Sequence, residues 1–173
     1  MAGILICGAN GSGKTVLGRA LAERLRCRHL DIEDYAFAPS PIPYAKPRER
    51  DDMRRLLLAD MRQSGDFVLS AVSGDLGREI AALYTCAVYL SAPADLRIAR
   101  IRQRSREQFG ARALPGGDLF AREQRFLAFA AARSMDETQA WLKSLSCPVI
   151  RADGTRPVAQ NAAWLAGEIL KQR

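Results

Sequence analysis

The chain has 173 residues, 48% of them hydrophobic and 26% charged, with a net charge of +7 from 26 Lys and Arg against 19 Asp and Glu. That length is one domain's worth, enough to bury a real core. No run of eighteen apolar residues could span a bilayer and the start lacks the pattern of a secretory signal, so a cytoplasmic protein with no membrane partner is expected.

In chain order, Ile4-Leu5-Ile6-Cys7 is an apolar run that reads as a buried first strand. Gly8-Ala9-Asn10-Gly11-Ser12-Gly13-Lys14-Thr15 follows and completes the G-x-x-x-x-G-K-[ST] phosphate-binding loop. Gly8, Gly11 and Gly13 free the backbone to bring N–H groups close to an anion; Lys14 supplies a point charge between β and γ phosphates, and Thr15 a hydroxyl for Mg2+. The helix that starts near Gly13 aims its positive end at the same place. Its apolar side is Val16, Leu17, Ala20, Leu21 and Leu25.

A short second strand is expected at about Arg28 to Ile32, carrying Asp31, Glu33 and Asp34 at its end. Pro39, Pro41, Pro43 and Pro47 then mark an ordered loop, because proline cannot continue a helix. Arg50 to Gln63 is helical in pattern, with Gly65 as its stop. Phe67 to Val72 reads as a buried strand that ends in Ser73-Gly74-Asp75, and Glu79 to Leu83 as a short helix before the strand Ala87 to Leu90. Pro93 opens the next helix, with Leu96, Ile98, Ala99 and Ile101 on one side and six arginines from Arg97 to Arg112 on the other.

Ser105 to Gly117 is a polar, basic loop, and a long helix is expected from Asp118, with a break possible where Ser134 and Glu137 fit a capping box. Pro148-Val149-Ile150 is the last strand and Asp153-Gly154-Thr155 a turn. The final helix has Thr155 as its N-cap, Pro157 near its start and Val158, Ala162, Leu165 and Ile169 inside. Strands alternating with helices imply a parallel sheet covered on both faces, with ligands at the carboxyl ends of its strands. The motifs after the first, second, third and fifth strands all fall at that end.

Cys7, Cys27, Cys86 and Cys147 are spread singly, which suggests neither a zinc ribbon nor a disulfide framework. The lone His29 reads as a packing or surface residue. The positive charge fits either polyanionic small molecules or nucleic acid; arginine density from Arg97 to Arg125 without a lysine-rich tail favours the first.

Together, the phosphate-binding loop, the acids after the second strand, the arginine-rich loop and the D-G-T-x-P turn resemble the nucleoside monophosphate kinase-like group of P-loop proteins. Adenylate, shikimate and gluconate kinases belong to it, as do small bacterial proteins described only as AAA-family ATPases or ATP-binding proteins. The resemblance implies an α/β chain with the three-layer α/β/α P-loop NTPase fold. That fold has a doubly wound five-stranded parallel sheet and a helical lid. It also implies one domain over residues 1–173, with the lid at about 105–117 and an acceptor-side segment at about 35–64.

By the same resemblance, ATP lies on Gly8, Asn10, Gly11, Ser12, Gly13, Lys14 and Thr15, with Arg100 beside it and Asp153, Gly154 and Thr155 against the base. Mg2+ is held through Thr15 and Asp31. Catalysis falls to Lys14, to Glu33 or Asp34 acting on the acceptor hydroxyl, and to lid arginines, Arg104 and Arg112 foremost, with Arg106 also placed for it. Glu33 departs from the aspartate usual in shikimate and gluconate kinases, which leaves the acceptor base open between Glu33 and Asp34. Asp75 is a second choice as metal-associated acid, and Arg48 and Arg50 are candidates for an anionic acceptor. A Mg-ATP-dependent small-molecule kinase, monomer or homodimer, is the expected function. An ATP-driven switch or ATPase, and a protein acting on nucleic-acid ends, are the alternatives.

Overall fold

The structure, a computed structural model, describes residues 2–171. Strands β1 (Gly3–Cys7), β2 (Arg28–Asp31), β3 (Phe67–Ala71), β4 (Cys86–Ser91) and β5 (Val149–Asp153) form one sheet in the order β2-β3-β1-β4-β5. Every pairing is parallel, so each connection crosses a face of the sheet, and helices make the crossings. They are α1 (Lys14–Leu25), α2 (Ile32–Ala36), α3 (Arg50–Ser64), α4 (Arg78–Ala81), α5 (Ala94–Phe109), α6 (Phe120–Ala132), α7 (Asp136–Leu142) and α8 (Val158–Leu170). This is the expected three-layer α/β/α P-loop fold. No helix among the described residues is long and apolar enough to cross a membrane.

The central strand β1 shows why its sequence is apolar throughout. Leu5 and Cys7 pack against Met53, Leu57 and Met61 of α3, whereas Ile4 and Ile6 pack against Leu17 and Leu21 of α1 and Leu165 and Ile169 of α8. A strand covered on both sides has no solvent face, so alternation disappears. Each such side chain contributes about 1.5–3 kcal/mol by leaving water. A third, smaller cluster joins Ile101 of α5 to Leu127 and Ala130 of α6.

The first turn of α1 is tied to the sheet by polar contacts. Ser70 Oγ donates to the Lys14 carbonyl at 3.1 Å and is hydrogen-bonded to His29 Nε2 at 2.9 Å. Gly18 permits this close approach: a Cβ there would lie 2.6 Å from His29 Nε2. His29 is thus a packing residue, and burial lowers its pKa.

Several boundaries differ from expectation for local reasons. The second strand stops at Asp31 and not Ile32, because Asp31 caps α2 at once, its Oδ1 accepting from the Glu33 amide at 3.1 Å. The fifth strand runs on to Asp153, carried by pairing with β4 although its side chains are mostly exposed. The basic loop starts later than Ser105, since α5 continues to Phe109 and a 3-10 turn covers Gly110–Ala113. The helix expected from Asp118 is two, α6 and α7, with Ser134 Oγ accepting from the Asp136 amide at 3.0 Å instead of closing a box with Glu137. The last helix begins at Val158 after Pro157, so Thr155 is not its cap.

Candidate functional site

The phosphate-binding loop leaves β1 between its neighbours β3 and β4 and enters α1. Gly11 and Gly13 take φ of 80° and 100°, the left-handed region that glycine enters without strain. A Cβ on Gly11 would also collide with the Arg97 carbonyl. Ser12 Oγ is buried with no hydrogen-bond partner among the described residues, an orphan of the kind a phosphate oxygen would satisfy.

A cavity of about 320 Å3 opens over this loop. Asn10 to Thr15 line it, together with Asp31 and Glu33 after β2, Arg100 and Arg104 of α5, and Gly154 and Asn161 beyond β5. The tertiary structure therefore brings most of the expected residues to one place. Lys14 Nζ donates to the Ala9 carbonyl at 3.0 Å. Burial brings its ammonium down to about 8, against the upward pull of Glu33 and Asp31, and the neighbouring Arg104 lowers it further. Thr15 Oγ1 donates to Asp31 Oδ2 at 2.7 Å, and Asp31 is only 9% exposed. A hydroxyl and a carboxylate in contact are hard oxygen ligands of the kind Mg2+ takes alongside phosphates.

Glu33 faces the cavity and accepts a hydrogen bond from the Tyr44 hydroxyl. Burial, followed by the Glu33 charge, pushes Tyr44 up to about 12. Asp34 points away: it is exposed and lines no cavity described here. Arg100 bridges two halves of the site, Nη1 donating to Ser12 O at 3.2 Å and Nη2 to Gly154 O at 3.0 Å. Arg104 lines the cavity one helical turn further on.

A second cavity of about 360 Å3 adjoins the first and shares Asn10, Glu33, Ile101 and Arg104 with it. Its other walls include Tyr44, Ser105, Phe109, Glu123 and Phe126.

Some expected residues stand elsewhere. Arg112 pairs with Asp118 at 2.6 Å on the surface, a contact that lowers the Asp118 pKa. Asp153 accepts from the amide and hydroxyl of Thr155 at 2.9 and 2.8 Å, so these two side chains build the turn while Gly154 lines the cavity. Gly154 is held by its amide donating to Ser91 O at 2.6 Å. Gly74 packs under Leu5 and Trp141, and Asp75 is exposed, which removes Ser73-Gly74-Asp75 from the site. Arg48 donates to the carbonyls of Asp34, Tyr35 and Phe37, closing the end of α2 instead of awaiting an anion. Arg106 lines only a shallow surface depression.

Three residues escape a reading of the sequence. Arg97 is 7% exposed, not on a solvated helix face, and its Nη1 donates to Asn10 O at 3.0 Å and Ala130 O at 3.3 Å. Arg133 Nη1 donates to Asn10 Oδ1 at 3.1 Å. Asn161 is 3% exposed; its Nδ2 donates to Asp153 O at 2.8 Å and its Oδ1 has no partner among the described residues. The spacing of Arg97, Arg100 and Arg104 at one and two helical turns was a usable signal. Nothing marked Asn161 or Arg133.

Residues 4–113 match the model of the AAA domain family. The chain belongs to that family. The AAA-domain protein is 31% identical over 158 residues to the uncharacterized protein YqaC of Bacillus subtilis (strain 168), covering 87% of each chain. A shikimate kinase of Nitrobacter winogradskyi shares 31% over 113 residues, 59% of this chain and 52% of that one. Among solved structures, a gluconokinase from Sinorhizobium meliloti 1021 matches with a TM-score of 0.56 and 19% identity over 99% of this chain and 97% of that one. The shikimate kinase from Acinetobacter baumannii in complex with shikimate matches with a TM-score of 0.55 and 18% identity, over 99% and 92%. With these relatives, the AAA-domain protein is a P-loop protein of the nucleoside monophosphate kinase-like group.

Proposed function

We propose that this AAA-domain protein is a Mg-ATP-dependent phosphotransferase that moves the γ-phosphoryl group of ATP to a small-molecule acceptor. The observation that carries this reading is the second cavity: it meets the first at Glu33 and Arg104, where a γ-phosphate and an acceptor would face each other. A nucleotide switch needs no such space.

In this reading Gly8 to Thr15 cradle the triphosphate. Lys14, whose ammonium is poorly solvated, turns from the Ala9 carbonyl to the β and γ phosphates. Thr15 and Asp31 hold the Mg2+ site, and the ion, when bound, neutralises charge on the phosphate oxygens. Glu33, steadied by the Tyr44 hydroxyl, orients the acceptor hydroxyl and takes its proton; the exposed Asp34 does not. Arg104 stabilises charge on the transferring group, and Arg100 fixes the distance between the loop and the base-binding turn. Arg112 lies in the 3-10 turn Gly110–Ala113, within the segment expected to act as the lid. Its bidentate pair with Asp118 is solvent-exposed, and lid closure would exchange that carboxylate for phosphate. Asn161 Oδ1, buried and without a donor, suits the exocyclic amine of adenine.

The test is acceptor-dependent ADP release with Mg-ATP over nucleosides, nucleoside monophosphates, sugars, polyol acids and short oligonucleotides. One acceptor should raise ADP release well above background and gain the mass of a phosphoryl group. A flat panel with slow hydrolysis would replace the phosphotransferase with an ATPase.

A further inference from the structure

The walls of the second cavity describe its ligand. Five of the chain's twelve aromatic residues meet there: Phe37, Tyr44, Phe109, Phe126 and Phe129. Phe37 and Tyr44 meet edge to face with centroids 5.4 Å apart. Tyr44 holds a φ of 61°, a left-handed conformation that is strained for a side chain with a Cβ and is found mostly where function requires it. Phe129 is 54% exposed. Arg133 covers part of Phe129 at 4.9 Å and Arg122 stands 5.5 Å from the Phe109 centroid; the exposed remainder of Phe129, with Phe37, Tyr44 and Phe126, presents apolar ring surface to the cavity.

The charges around it are equally informative. Arg122 is engaged within the protein: Nη2 donates to Pro43 O at 2.9 Å, Nε lies 3.5 Å from Glu123, and the guanidinium sits 5.5 Å from the Phe109 centroid. Arg104 stands at the seam with the nucleotide cavity, where the γ-phosphate would claim it. Among the described lining residues no further cation is left for a carboxylate or phosphate on the acceptor itself. Glu123, its side chain 9% exposed, instead presents a buried carboxylate. A carboxylate has room for about four hydrogen bonds, so the contact with Arg122 leaves acceptor capacity for a ligand N–H or O–H.

We propose that the acceptor is an uncharged molecule of the nucleoside class, a planar heterocycle carrying a hydroxylated arm. This rests on the phosphotransferase reading above. The heterocycle stacks on the phenylalanine and tyrosine rings, its N–H edge donates to Glu123, and its hydroxyl reaches Glu33. In the transfer the hydroxyl oxygen bonds to the γ-phosphorus as the bond from that phosphorus to the β–γ bridging oxygen breaks. ADP leaves, and the hydroxyl proton passes to Glu33 and on to water.

The experiment uses the full chain loaded with Mg2+ and a non-hydrolysable ATP analogue. Calorimetry compares adenosine, guanosine, cytidine, uridine and thymidine with their 5′-monophosphates, shikimate and gluconate, and ADP release with Mg-ATP is followed in parallel. One neutral nucleoside should bind about tenfold tighter than its monophosphate and become phosphorylated. Phe129→Ala, tolerable because the ring is largely exposed, and Glu123→Gln, checked by its melting temperature, should each weaken that binding about tenfold. Preferred phosphorylation of a monophosphate, shikimate or gluconate overturns this inference and leaves the phosphotransferase standing. Full nucleoside affinity in both folded variants also overturns it. ADP release that no acceptor stimulates, although the analogue binds, overturns both.

Discussion

If Lys14 engages the phosphates as proposed, nucleotide affinity should depend on pH near the value of its ammonium, about 8. Its ammonium is brought down to about 8 by burial in the loop, whereas between two phosphates it would be held protonated. With a free value near 8, about nine-tenths of the lysine is charged at pH 7 and about one-tenth at pH 9. Only the charged form binds the triphosphate well, so affinity for the Mg-ATP analogue should fall about tenfold, or ~1.4 kcal/mol, from pH 7 to pH 9. Binding at pH 8 should take up about half a proton, measured by calorimetry in two buffers of different ionisation enthalpy. Cys7 and Tyr44, both near 12, lie above this window, and His29 is shifted down, away from it. The Lys14→Ala variant should keep its fold, lose turnover and show no proton uptake. Affinity that stays constant from pH 7 to pH 9, or protons released on binding, would refute the assignment of Lys14 to the phosphates.

Glu33→Gln should leave analogue affinity within about twofold and lower the rate of transfer by about a hundredfold or more, as removal of a general base does; equal loss of both would assign Glu33 to the metal or the fold. Asn161→Ala should reduce the preference for ATP over GTP about tenfold in competition binding, since it removes the orphan acceptor proposed to meet the adenine amine. An unchanged preference would remove Asn161 from base recognition. Two glycines should respond in opposite directions in urea unfolding. A Cβ on Gly154 would lie 2.9 Å from both Ser12 O and Ser91 O, so Gly154→Ala should cost about 1–3 kcal/mol and weaken analogue binding. Gly167, in α8 with nothing within 4 Å, should gain about 0.5–1 kcal/mol as Ala. Equal effects at the two positions would show that the turn does not press on the loop.

What is written in short range was legible along the chain. The G-x-x-x-x-G-K-T loop, the apolar run of β1 and the helical spacing of α1, α3 and α8 are each set by residues within one element, and the order of strands and helices along the chain implies the parallel sheet. Local sterics and burial of one face decide them before any partner is known. Thr15 and Asp31 were joined as a metal pair only through the family resemblance; their contact at 2.7 Å depends on the fold setting the first turn of α1 beside the end of β2.

Which candidate faces the cavity at each place was decided only by the tertiary structure. Glu33 and Asp34 are adjacent, and nothing local says which faces inward; the immediate start of α2 at Asp31 rotates Glu33 to the cavity and Asp34 to water. Arg48 reads as a free cation until the carbonyls at the end of α2 are seen to engage it, and Arg97 as a solvated one until it is found buried on Asn10. The aromatic walls of the second cavity come from residues 37–44, 109 and 126–129, stretches that carry no shared period and meet only because α5 and α6 pack beside the proline-rich segment. A sequence states residue chemistry and local periodicity. Which guanidinium is left unpaired, and which rings share a cavity, depends on contacts tens of residues apart that close only when the chain folds.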